Sequence, residues 1–211
     1  LGAHVDDSVA FQVYNNLRED AASIAAVNET KGQVVFAENQ VAETYFYSVS
    51  AGVSAGIKEV WFAKKDRSYL MPCVLLGDSR KTLDLQKEAD FSKFLKDETK
   101  SYDANSPWYR WRTTVSEKQL QQFISEKIKS RYEKNPTQIQ TKQKDGTFFS
   151  TGQTELGEIK KVEILKRGKS GVAVMAQITG SKNTLRIYTE YNLRNLFGGE
   201  KLIYLRKDKK E

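Results

Sequence analysis

Glu43-Thr44-Tyr45-Phe46-Tyr47-Ser48-Val49-Ser50-Ala51-Gly52 reads as a strand that runs into a loop of small residues. Aromatic and β-branched residues fill most of 44–49, as a half-buried strand prefers. The continuation, Ser50-Ala51-Gly52-Val53-Ser54-Ala55-Gly56, carries almost no side-chain bulk. Such a loop lets a ligand come close to backbone N–H groups and hydroxyls. A tight turn between two core elements would use the same residue types. On a regular strand Val41, Glu43, Tyr45, Tyr47 and Val49 share one face, and Ala42, Thr44, Phe46, Ser48 and Ser50 share the other.

Upstream of this stretch, 9–14 reads as a short extended segment. The alanine-rich run 19–28, with acids first, predicts a helix that Gly32 follows. Residues 33–37 predict a strand, and Glu38-Asn39-Gln40 a hairpin turn into the central strand, 41–49. Downstream, the apolar run ending at Leu76 predicts a buried strand, and 84–95 a short helix or lid. Ser106-Pro107-Trp108-Tyr109-Arg110-Trp111 opens a predicted strand over 106–115. The clearest helix spans 116–132, with Ser116 as N-cap and a stripe of Leu120, Phe123, Ile124, Ile128 and Tyr132. Residues 137–157 read as a polar loop or hairpin. Strands follow at 159–165, 171–179 and 185–189, then a short helix at 190–197 and a last strand at 202–205. This is a mixed α+β order with strands mostly in hairpins, which predicts largely antiparallel sheets and a few helices. We divide it into a region 1–115, carrying the small-residue loop, and a region 116–211, a helix followed by a β-rich part.

The chain has 211 residues, 39% of them hydrophobic, enough to build a core. No apolar run approaches the roughly 18 residues of a membrane span. The first residues show no signal-peptide pattern and no initiator Met, so the chain reads as a piece of something longer. A net charge of +7 suits a polyanion such as nucleic acid, an anionic membrane surface or a cell wall. The basic residues are scattered among acids, and no RNA-binding signature or helix-turn-helix spacing is present, so nucleic acid is not the expected partner. With one cysteine, Cys73, no internal disulfide forms, and its apolar surroundings predict a buried thiol. With His4 as the one histidine, the usual zinc ligand set cannot be assembled. We expect no metal and no cofactor.

Three clusters could form a site: Gln12-Val13-Tyr14, Thr30-Lys31-Gly32, and the strand and loop from Tyr45 to Gly52. They offer amides, hydroxyls and rings. Sugars need those groups, as partners for hydroxyls and acetamides and as faces for the apolar side of a pyranose. Trp108, Tyr109 and Trp111 could extend the platform, or fill the core. Glycoside hydrolysis usually needs a carboxylate pair. Glu29 and Glu43 are the nearest acids, and neither carries a motif that marks it as a general acid.

The order of motifs resembles the stage II sporulation protein D family (SpoIID/LytB). It runs from Phe11-Gln12-Val13-Tyr14 and Ala26-Val27-Asn28-Glu29-Thr30-Lys31-Gly32 to Tyr45-Phe46-Tyr47-Ser48-Val49-Ser50-Ala51-Gly52, where the family tends to have YFHSTSGG. It continues through Glu59-Val60-Trp61, Ser106-Pro107-Trp108-Tyr109-Arg110-Trp111 and Leu156-Gly157-Glu158-Ile159. Arg167-Gly168-Lys169-Ser170-Gly171 and Glu190-Tyr191-Asn192-Leu193-Arg194 complete it. Each motif is weak alone, and the likeness covers nearly the whole chain in one order.

The resemblance implies a SpoIID-like fold and an extracytoplasmic, cell-wall-facing protein, secreted or anchored through a segment ahead of Leu1. It implies a lytic transglycosylase that cleaves peptidoglycan glycan strands lacking stem peptides. A glutamic acid protonates the bridging oxygen, and the C6 hydroxyl of N-acetylmuramic acid attacks C1 to leave a 1,6-anhydro end. Such an acid works when burial raises its pKa into range. The family's acid lies upstream of everything in this chain, so no catalytic residue is assigned here. Val5 and Phe11 stand where many members have cysteines that can hold zinc. Tyr47, Val49 and Ala51 stand where the family has His, Thr and Gly. These departures bear on activity more than on fold. Position by position, Tyr14, Thr30, Tyr45 and Ser48 are the implied cleft residues, then Gln12 and Ser50. Tyr45 and Ser48 reach one cleft only if a bulge or turn begins near Ser48. The expected partners are glycan strands and other wall hydrolases. The alternative, on the LytB side of the resemblance, is a non-catalytic wall-binding module or an enhancer of a partner N-acetylmuramoyl-L-alanine amidase.

Overall fold

The computed structural model describes residues 17–61, 67–76, 84–96, 101–199 and 202. The predicted segment 9–14 and residues 203–205 of the last predicted strand lie outside them. The fold is α+β, with five α-helices and two antiparallel sheets among the described residues. The chain forms two compact units, Leu1–Tyr45 and Phe46–Glu211. The boundary expected at 115/116 falls inside the second.

In the first unit, α1 (Ala21–Glu29) is set by its cap. The Asp20 carboxylate accepts from the Ser23 amide at 2.9 Å and from its hydroxyl at 3.1 Å. Thr30 closes the helix, its amide and hydroxyl both donating to the Ala26 carbonyl. A hairpin follows, β1 (Phe36–Ala37) against β2 (Gln40–Val41). Glu38 and Asn39 both take positive φ, 51° and 60°, as a two-residue I′ turn requires. The turn falls where the sequence puts it, but the strands are shorter than expected. Regular pairing ends with the Ala42 amide on the Val35 carbonyl, so the predicted central strand 41–49 is β only at its start.

The second unit is built on a five-stranded sheet of order β4-β3-β7-β6-β5. Its strands are β3 (Ile139–Lys142), β4 (Phe148–Phe149), β5 (Ile159–Arg167), β6 (Ala173–Gly180) and β7 (Thr184–Tyr188). Alternation directs Ile139, Ala176, Ile178, Leu185 and Ile187 to one face, all fully buried. Two helices cover that face. The first, α4 (Glu117–Lys134), starts at a capping box: Ser116 accepts from the Gln119 amide, and the Gln119 side chain accepts from the Ser116 amide. It supplies Ile124 and Ile128. The second, α5 (Glu190–Leu196), supplies Leu193 and Leu196. Asn192, fully buried, ties these elements together. Its carbonyl oxygen accepts from Arg131 Nε at 2.8 Å, and its amide donates to Gln138 and to the Tyr188 carbonyl, both at 2.9 Å. Every polar atom of that side chain therefore has a partner, as burial demands.

Two short helices stand before α4, namely α2 (Ile57–Val60) and α3 (Glu88–Lys96). Several expectations fail in this part. The run 69–76 is not a buried strand: it makes isolated bridges, Val53 with Val74 and Leu76 with Ser101, and Cys73 is exposed. Pro72, in the middle of the run, removes a ladder donor. The predicted strand 106–115 is absent, and 101–110 is a series of turns, with Arg110 at φ 46°. Leu202 is helical, its amide bonded back to Gly198, so no strand begins there.

Candidate functional site

The chain bends at Ser48 as it enters the small-residue loop. Three short backbone segments frame it. The Leu75 amide donates to the Gly52 carbonyl and the Ser54 amide to the Cys73 carbonyl, both at 2.8 Å, and the Tyr102 amide reaches the Leu75 carbonyl at 3.3 Å. Gly52 takes φ +101°, and a Cβ there would meet Leu76 Cδ2 at 2.7 Å, so only glycine fits.

Two side chains from the 101–110 turns then fix the loop. The Asp103 carboxylate accepts from the Ser50 amide, and from the Ser101 hydroxyl at 2.6 Å. Burial pushes the Asp103 pKa up, but the hydrogen bonds from Ser101 and Ser50 together outweigh it and hold the carboxyl below the usual range. Arg110 Nε donates to the Ala51 carbonyl at 3.0 Å. Its guanidinium lies 4.3 Å from the Phe94 ring centre and 4.9 Å from that of Tyr109. The left-handed backbone at Arg110 costs about 1–3 kcal/mol, and these contacts hold it in place.

Around the fixed loop stand exposed rings. Phe46 is 85% exposed, Tyr102 85% and Tyr47 56%. Burial, then the charges of Asp103 and Cys73, push the Tyr47 pKa up, so at neutral pH it presents a phenol that can donate. Ser48 is exposed. The Ser50 hydroxyl accepts from the Gly52 amide at 2.9 Å and lies against the Asp103 carboxylate.

A second clasp lies at α2. Both Glu59 carboxylate oxygens are engaged, one by the Gly56 amide at 3.0 Å and the Ser170 hydroxyl, the other by the Ser170 amide at 3.2 Å. A Cβ at Gly168 would collide with that carboxylate. The next residues are clamped by α3. Arg167 pairs with Glu88 at 2.6 and 3.1 Å, lies 3.8 Å from the Phe91 ring centre and donates to the Gly171 carbonyl at 2.9 Å. Hydrogen bonding from Arg167 lowers the Glu88 pKa.

Of the expected cleft residues, Ser48 and Ser50 sit two apart in this loop. Thr30 and Tyr45 belong to the first unit, where the Thr30 hydroxyl closes α1. Gln12 and Tyr14 lie outside the described residues. Sequence reasoning missed Asp103, which no motif marks, and the structural tasks of Arg110, Glu59 and Ser170, which lie inside quoted motifs. An open depression of about 420 Å³ elsewhere in this unit is lined by Gln121, Lys129, Glu155 and neighbours; it contains none of the expected residues. Among the described residues no group of three or more His, Cys, Asp or Glu could hold a metal ion, and no helix is long and apolar enough to cross a membrane.

Residues 55–209 match a family described as a domain of unknown function, DUF8618. The chain belongs to that family. The DUF8618 match takes in α2, the clasp, Asp103, Arg110 and the whole five-stranded sheet, and begins just after Ser48 and Ser50. No curated protein and no solved structure is significantly similar to the chain.

Proposed function

We propose that the chain is a SpoIID-like peptidoglycan protein that holds glycan strands at the 46–52 loop. The observation that carries this is the loop itself, a small-residue backbone fixed by Asp103 and Arg110 and edged by the exposed rings of Phe46, Tyr47 and Tyr102. Rings and hydroxyls around an accessible backbone suit a pyranose. Further support comes from contacts between motifs distant in sequence. Arg110 of the Ser106–Trp111 motif holds Ala51, and Ser170 of the 167–171 turn holds Glu59 of the Glu59–Trp61 motif.

In this reading the parent protein is a lytic transglycosylase of denuded strands that works outside the cytoplasmic membrane. Its general acid comes from residues ahead of this chain. The second reading, a non-catalytic wall-binding module or amidase enhancer, is favoured by the departures from the resemblance. Tyr47, Val49 and Ala51 stand in the loop where the family has His, Thr and Gly, and Val5 and Phe11 stand where many members have cysteines.

Purified glycan strands, with and without stem peptides, are incubated with this chain and with a form extended upstream. Products are read by mass spectrometry. New 1,6-anhydro ends from the extended form support the enzyme. Binding without new ends supports the module. Neither binding nor new ends overturns both.

A further inference from the structure

The five-stranded sheet has a second face, turned away from α4 and α5. Register places Gln140 of β3, Arg186 of β7, Gln177 of β6 and Glu163 of β5 side by side across it. Arg186 is half-buried in this row. Its Nε is shielded from solvent and has no hydrogen-bond partner. One side of its guanidinium is covered by Phe148, 3.8 Å to the ring centre.

The groups around it leave this cation unanswered. Glu163 is the acid in the row, but it lies two strands away, roughly 9–10 Å, and pairs with Lys161 at 2.7 Å. The Gln140 side-chain oxygen accepts from the Tyr188 hydroxyl at 3.1 Å. Lys142 and Lys161, on the same face, add positive charge. A shielded N–H lacking a hydrogen-bond partner is costly, and such groups in folded proteins call for an explanation. Arginine presents a planar fork that matches the two oxygens of a carboxylate, and a ring stacked on one side holds the fork in orientation.

We propose that Arg186 anchors a carboxylate-binding site on this second face of the sheet. The Gln177 amide lies beside it, and Phe148 forms one wall. One guanidinium and one amide match the single charge of a carboxylate. The site stands on the sheet alone. Only the choice of first probe rests on the peptidoglycan reading: removal of the stem peptide leaves a free lactyl carboxylate on each muramic acid.

The ¹⁵N-labelled chain is titrated with N-acetylmuramic acid, N-acetylglucosamine and N-acetyl-D-alanine while the Arg186 Nε–H signal is followed. That signal is identified by its loss in Arg186→Lys. N-acetylmuramic acid is expected to move it and N-acetylglucosamine to leave it in place. A matching shift with N-acetyl-D-alanine means that the carboxylate alone is read; no shift with it means that the sugar is read too. Arg186→Met should weaken muramic acid binding by about tenfold or more, and Arg186→Lys by less. The proposal is overturned if neither acid moves the signal, if N-acetylglucosamine moves it equally, or if Arg186→Met binds as well as the parent. The titration itself needs no variant, so a misfolded Arg186→Met leaves the test intact. A failed titration with strand binding preserved sinks this site and spares the 46–52 loop. A positive titration with no strand binding does the reverse.

Discussion

The second unit contains two kinds of construction. The sheet with α4 and α5 is held by apolar burial, with Ile124, Ile139, Ile178, Leu185, Ile187 and Leu196 all fully buried. The 48–52 loop is held by individual polar contacts, Asp103 on Ser50 and Arg110 on Ala51. Beyond it a further polar clasp, Glu59 on Ser170, stands beside a few buried side chains, Ile57, Leu85 and Phe94. Burial is spread over many atoms and resists local opening. Single polar pins can be released one at a time. The region that carries the candidate site is therefore the one that can open without unfolding the rest.

That contrast can be broken most sharply in the core. Ile187→Ala should cost about 2–5 kcal/mol of global stability, measured by urea unfolding. A loss under about 1 kcal/mol would mean that burial does not hold this part. Asp103→Ala removes two hydrogen bonds to a charged group, about 1.5–3 kcal/mol each. The loss should appear locally, as at least tenfold faster hydrogen exchange at the Ser50 amide, with little change at Ile187. Equal acceleration at both would merge the two regions into one cooperative block.

Proton linkage sharpens the same point. The Asp103 pKa in the fold lies below its unfolded value of about 3.9. Its contribution is complete above that value and is lost as pH falls through the folded pKa. The Ser50 amide signal should hold steady down to about pH 4 and then shift, ahead of signals from the sheet. A shift near neutral pH would assign the titration to another group.

Smaller still are effects on binding. Tyr47→Ala should weaken glycan binding by several-fold, within the roughly 0.5–1.5 kcal/mol typical of a ring contact. Lys209→Ala should change it little, and equal effects would remove the loop from the site. Smallest is the exposed pair Lys182–Glu155. Lys182→Ala should alter stability by under about 1 kcal/mol, a baseline for the rest.

Legibility in sequence follows the same division. The stripe of α4 and the alternation of β6 and β7 are periodic, and periodicity is what burial imposes. The short β3 strand is less plain. The glutamines and lysines around Ile139 and Thr141 make 137–157 read as a polar loop or hairpin, and β3 and β4 form that hairpin. The inward burial of Ile139 and Thr141 is not marked in the sequence. The loops carry no period. The run 69–76 and the stretch 106–115 are rich in strand-favouring residues, and what decides their shape is a few long-range hydrogen bonds. Ser50 and Asp103 lie 53 positions apart, and nothing local to either announces the other.

The Glu59–Ser170 clasp closes a span of 111 positions. In kinetic terms, such a contact forms late, because ordering so long a loop costs entropy before the bond is gained. Ser170→Ala should therefore leave the refolding rate nearly unchanged and speed unfolding, as stopped-flow measurements would resolve. With a single cysteine in the chain, this staple is polar rather than covalent. It needs no oxidant, and the chain can close it in reducing and oxidising surroundings alike.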